Sequence, residues 1–84
     1  MMGTVAELTL YTRSYCHLCD DFLAAMAGST AIGNIEIRIV DVDTDPAFEA
    51  RYGERVPVLT LGDVEICHYL FDPTRLREVL ARVG

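Results

Sequence analysis

Polar and apolar residues alternate over Glu7-Leu8-Thr9-Leu10-Tyr11, with β-favouring types at the apolar positions, and this predicts a strand. The polar stretch from Thr12 to Tyr15 leads into a segment of different period. From Cys16 to Ala27, Leu18, Phe22 and Met26 recur every four residues and Leu23 widens the stripe, so a helix is expected, ended by Gly28 and Ser29. Alternation returns from Asn34 to Val42. Ile35, Ile37 and Ile39 fall on one face and Glu36 and Arg38 on the other, which predicts an edge strand with one face at least partly wet.

Asp45-Pro46 combines a capping side chain with proline at the first helical position, starting a short helix that runs to about Tyr52 and stops at Gly53. Val58-Leu59-Thr60-Leu61 and Val64-Glu65-Ile66-Cys67 flank Gly62-Asp63, a two-residue link that makes a tight hairpin. Asp72-Pro73 repeats the helix start, and Leu76, Val79, Leu80 and Val83 then follow the i, i+3, i+4, i+7 spacing of an amphipathic helix. The predicted order is βαβαββα. Its first βαβ unit calls for a right-handed parallel crossover. With the antiparallel hairpin added, the expectation is an α/β domain with a mixed four-stranded sheet and helices on both faces. No repeat or linker divides the chain, so residues 1–84 are expected to form one domain.

Composition narrows the setting. Thirteen acidic residues against seven basic ones give a net charge of −6, and all seven bases are arginine. Nucleic acid and anionic membrane surfaces both call for a basic footprint, so neither is an expected partner. No apolar run approaches the roughly 18 residues of a membrane span. The opening Met1 to Glu7 has no basic segment followed by a long apolar one, so no secretory signal is expected. Three cysteines are too few, and odd in number, for a secreted disulfide scaffold. A reducing cytoplasm and a monomeric chain are the expectation.

Chemistry concentrates in Cys16-His17-Leu18-Cys19, placed where the first loop becomes a helix. The first amides of a helix have no intrahelical acceptor, and the aligned peptide dipoles leave partial positive charge there. A sulfur at the cap is thereby favoured as thiolate; free cysteine titrates near ~8.5 and such sites reach ~3.5–7.5. Cys16 is then the exposed nucleophile, and Cys19, one turn inside, is placed to attack a mixed disulfide formed on it. Arg13 and a protonated His17 favour the thiolate, whereas Asp20 and Asp21 oppose it. Other readings of the pair stay open. Structural zinc would need Cys67-His68 as the second half, but neighbours on a strand point to opposite faces. Haem attachment needs His after the second Cys, where Asp20 stands. Two inert buried cysteines are the plainest alternative. A calcium loop at Asp41-Val42-Asp43-Thr44-Asp45 fails, because its sixth position is Pro46 and its twelfth Tyr52. Pro57 is expected to begin a strand rather than interrupt one, its isomer open. Cys67 is expected to fill the core as a small apolar residue. His68 is expected at the surface.

Taken together, Tyr11-Thr12-Arg13-x-x-Cys16-x-x-Cys19, the helix and edge strand, and Val56-Pro57 before a hairpin and last helix resemble the glutaredoxin-like branch of the thioredoxin superfamily. Small glutaredoxin-like proteins with a Cys-His-Leu-Cys-Asp opening and a Tyr-Gly-x-Arg-Val-Pro-Val-Leu segment, here Tyr52 to Leu59, are the most similar. The resemblance implies thiol–disulfide exchange, with Cys16 attacking a substrate disulfide and Cys19 resolving it; the partner is a disulfide-containing protein or a small thiol. It implies a cis bond before Pro57, beside the active cysteines, and a backbone at Val56 that pairs with incoming peptide or glutathione. It also places Arg13 where glutaredoxins meet a glutathione carboxylate. Tyr15 either lines the substrate groove or covers the helix start. The chain departs from glutaredoxins at Ile66-Cys67-His68-Tyr69, which lacks the glycine pair that holds the γ-glutamyl end. Glutathione is weakened as a cofactor by this, together with any cluster it would bridge, and the residues require none. The rival expectation is a redox-inactive peptide-binding module of the same fold.

Overall fold

The computed structural model describes residues 7–29 and 35–83. Its elements are β1 (Glu7–Thr12), α1 (His17–Ala27), β2 (Glu36–Asp41), a 3-10 turn (Val42–Thr44), α2 (Pro46–Tyr52), β3 (Val58–Leu61), β4 (Val64–His68) and α3 (Pro73–Val83). This is the expected order with one added turn. Asn34, the expected first residue of the second strand, lies outside the described residues, as does the side chain of Val83.

The four strands form one sheet in the order β2-β1-β3-β4. β1 and β2 run parallel, with Leu8 opposite Ile37 and Leu10 opposite Ile39. β3 lies antiparallel to both β1 and β4. Alternation then sorts the side chains. Leu8 and Leu10 of β1, Leu59 of β3 and Ile66 of β4 pack with Phe22 and Met26 of α1 and Leu76 and Val79 of α3. The opposite face carries a smaller cluster of Val42, Tyr52 and Val58, with Tyr11, Phe48 and Val56 against it. Helices therefore cover both faces, α1 and α3 on one and α2 on the other. A register shift between Leu59 and Thr60 lets Ile66 and Cys67, adjacent in sequence, both reach the main core. An extra residue in one strand breaks the strict alternation in this way.

Caps follow the sequence closely. Asp45 accepts a hydrogen bond from the Ala47 N–H at 2.8 Å with Pro46 opening α2, and Asp72 accepts from Arg75 N–H at 3.0 Å at the head of α3. Asp45→Ala should therefore lower stability by about 1 kcal/mol, read as a shift of the urea midpoint with unchanged slope. Gly62 takes φ 59° at the first of the two hairpin positions, where its missing Cβ removes the steric cost.

Two apolar assignments need correcting. Leu18, expected in the inner stripe of α1, is 42% exposed, and Cys19, at 3%, takes its place with Phe22 and Met26. With 3.6 residues per turn, the spacing of three from Cys19 to Phe22 and four on to Met26 centres the stripe on that trio; Leu18 falls at its margin. Ile39 shares the inner face with Leu10 but is 56% exposed, because β2 is an outer strand with a neighbour on one side only.

Candidate active site

The pairings Thr12 with Asp41, Tyr11 with Val58 and Val58 with His68 bring one end of all four strands together. Cys16 is reached from that end of β1 through Arg13, Ser14 and Tyr15. It is extended, at φ −110° and ψ 105°, and forms the N-cap of α1. Its Sγ accepts a hydrogen bond from the Cys19 N–H at 3.1 Å. The backbone carbonyl of Cys16 receives the Asp20 N–H at 3.4 Å. Cys16 and Cys19 are joined as a disulfide, their Cα atoms 5.2 Å apart. The two sulfurs differ in access: Cys16 is half-buried and Cys19 buried. His17 and Asp20 are exposed on the same turn.

The loop before Cys16 is fastened from below. Arg13 donates to Glu49 and lies 3.2 Å from Asp43 Oδ1, and the Ser14 hydroxyl donates to Asp41 Oδ2 at 2.9 Å. The hydrogen bond to Glu49, with the charge of Asp43 adding to it, raises the Arg13 pKa still further. The arginine expected to meet an incoming carboxylate is thus already held by two of the protein's own. Tyr15 stands 96% exposed and so does not cover the helix start.

The Val56–Pro57 bond is cis. Pro57 is buried, and Val56 packs against the cluster of Val42, Tyr52 and Val58. Tyr69 brackets this segment from both sides, its N–H donating to the Pro57 carbonyl at 2.9 Å and its hydroxyl to the Glu54 carbonyl at 3.1 Å. Tyr69 does so at φ 64°, a conformation that L residues other than Asn and Asp seldom adopt. Sequence reading missed Tyr69, Glu49 and Asp43 as members of this region. Arg13 and Glu49 are 36 residues apart with no local signal joining them, and a positive φ at tyrosine leaves no mark in composition.

Cys67 packs against the main core while His68 turns to the other face, where its Nδ1 lies 2.8 Å from Glu65 Oε2. The two neighbours do not converge, and among the described residues no group of three or more His, Cys, Asp and Glu is placed to hold a metal. Burial pushes the Cys67 thiol up, opposed by a hydrogen bond from the Asp72 backbone and helped by the charge of Glu65; burial and the neighbouring Tyr52 push the Tyr11 phenol up. Both groups are neutral when protonated and hold the proton more tightly folded than unfolded. Their contribution to stability is complete below the ordinary values of about 8.5 and about 10, and is lost as pH rises past each toward its raised folded value. Urea midpoints should therefore fall from pH 8 upward, and Cys67→Ala should flatten the first part of that decline.

The sheet order and the helices on its two faces make a thioredoxin fold, and thioredoxin 1 from Thermosipho africanus is similar at that level alone, at 20% identity and TM-score 0.57 over 92% of each chain. The chain belongs to the family described as "Glutaredoxin-like domain (DUF836)", whose model matches residues 7–81. It is similar to the solution structure of protein XcR50 from X. campestris, at 39% identity and TM-score 0.68, over 95% of this chain and 97% of that one. Protein Ne2328 from Nitrosomonas europaea is similar at 27% identity and TM-score 0.78, over 94% of this chain and 95% of that one. Among the described residues, no helix is long and apolar enough to cross a membrane.

Proposed function

We propose that the protein is a thiol–disulfide oxidoreductase that works through Cys16 and Cys19. The observation that carries this reading is the position of Cys16 at the head of α1, its sulfur receiving the Cys19 amide and paired with the sulfur of Cys19. After reduction, the same amide and the helix dipole favour Cys16 as thiolate. That thiolate attacks one sulfur of a substrate disulfide, forming a mixed disulfide and expelling the other half as a thiolate. The Cys19 thiolate then attacks the Cys16 sulfur, restores the internal disulfide and releases the second half. Two electrons leave the dithiol for the substrate, and the two protons of the dithiol end on the product thiols. The reverse sequence oxidises a substrate dithiol. No cofactor takes part, since the two sulfurs carry the electrons. The partner is a disulfide-containing protein or small molecule, met by a monomer in a reducing compartment.

The test equilibrates the protein with dithiothreitol couples and measures its rate with a neutral disulfide such as 2-hydroxyethyl disulfide. A reversible couple between about −270 and −120 mV is expected, together with a rate well above that of a free thiol. A pair that does not cycle, or a rate no greater than free thiol, sinks the reading. If the doubly serine-substituted protein kept its cellular role, the peptide-binding module would take its place.

A further inference from the structure

The charges around Cys16 bear on which disulfides the site accepts. Arg13 lies three residues before Cys16, at most about 11 Å away along even an extended chain. Its guanidinium is matched by Glu49 and by Asp43 at 3.2 Å, and its Nε is buried with no hydrogen-bond partner. Glu49 is built into this place. A Cβ on Gly53, one turn later in the chain, would fall 2.5 Å from the Glu49 carbonyl oxygen and 2.8 Å from its Cδ, so glycine leaves the room in which Glu49 sits. The adjoining Ser14 is tied to a further carboxylate, Asp41, at 2.9 Å. On the other flank, Asp20 is exposed one turn beyond Cys16. The loop that leads into Cys16 is thus held by the carboxylates of Asp41, Asp43 and Glu49, with Arg13 already paired, and the exposed Asp20 follows on the helix.

We infer that the Arg13–Glu49–Asp43 ion pairs set the site against anionic disulfides, so that its substrates are neutral or cationic at the disulfide, as in a peptide whose cystine is flanked by Lys or Arg. The inference rests on the exchange chemistry proposed above and names its substrate class. An anion approaching Cys16 meets carboxylates whose nearest cation is already neutralised, and a cation gains from the same field. Effects of this kind act on the encounter rate and fade as salt shortens the Debye length from about 30 Å at 0.01 M to about 8 Å at 0.15 M.

The experiment oxidises the reduced protein with glutathione disulfide, 2-hydroxyethyl disulfide and cystamine, which are anionic, neutral and cationic, at low and at moderate ionic strength. Each second-order rate is divided by that of a small neutral thiol with the same disulfide, which removes intrinsic reactivity. The normalised rates should rise from glutathione disulfide to cystamine by about tenfold at low salt, and the spread should shrink as salt is added. Glu49→Gln, an exposed and conservative change that removes one of the two carboxylates paired with Arg13, should shift the glutathione-to-cystamine ratio several-fold toward glutathione without altering the rate with the neutral disulfide. Normalised rates independent of charge, fastest reaction with glutathione disulfide, or an unchanged ratio in Glu49→Gln would each overturn the inference while leaving exchange through Cys16 intact. Absence of reaction with the neutral disulfide would remove the redox reading and this inference together.

Discussion

Cys16→Ser should abolish disulfide exchange, lowering turnover on the order of 10³-fold or more, whereas Cys19→Ser should stall the protein as a mixed disulfide through Cys16. A serine hydroxyl at the cap still receives the Cys19 amide, so α1 keeps its start and the fold survives. The same hydroxyl stays protonated at neutral pH and has no capacity to attack a disulfide sulfur. Roles are set by access: Cys16 is half-buried at the helix head, while Cys19 is 3% exposed and shares the buried side of the helix with Phe22 and Met26. A substrate disulfide therefore reaches the first sulfur and not the second. In Cys19→Ser the attack on Cys16 proceeds and nothing resolves it, so intact mass should rise by half the substrate disulfide and return with dithiothreitol. If the adduct forms instead in Cys16→Ser, the nucleophile and the resolving thiol are reversed and the helix head is not what activates the sulfur.

Much of this was legible in the chain because local chemistry decides it. Asp45-Pro46, Asp72-Pro73 and Gly62-Asp63 mark their helix starts and turn by backbone rules that tertiary context leaves untouched, and each appears where the residues place it. The cap position of Cys16 follows in the same way from the change of period after Tyr15. Long-range choices were not legible. That Arg13 is held by Glu49 depends on α2 folding back beneath the β1–α1 loop, and the placing of Ile66 and Cys67 on one face depends on a bulge that no single residue announces. The inner stripe of α1 was misplaced by one residue for a related reason. Cys19 counts as an apolar core residue only once its partners are known, and Leu18 is the more hydrophobic of the pair when read alone.

That misplacement leads to the largest expected stability effect. Phe22 is 1% exposed, sits in the main core with Leu8, Leu10 and Met26, and meets Phe71 edge-on with ring centroids 5.5 Å apart. Phe22→Ala removes the ring and leaves a cavity between α1 and the sheet, at about 3–5 kcal/mol. A domain of this size has roughly 4–13 kcal/mol in total, so the variant should lose a large part of its stability, with a urea midpoint lowered by about a quarter or more. Leu18→Ala, four residues earlier on the same helix and on a half-solvated side chain, should cost less than about 1 kcal/mol. A stripe running through Leu18, Phe22 and Met26 would make the two substitutions comparable; the observed packing separates them several-fold. Because α1 carries Cys16 at its head, Phe22→Ala should also lose exchange activity in step with its unfolded fraction and regain it in sucrose, which favours the compact state. Equal costs for Leu18→Ala and Phe22→Ala would mean that α1 is turned about its axis from the position described, and that Cys19 is not the shielded sulfur of the pair.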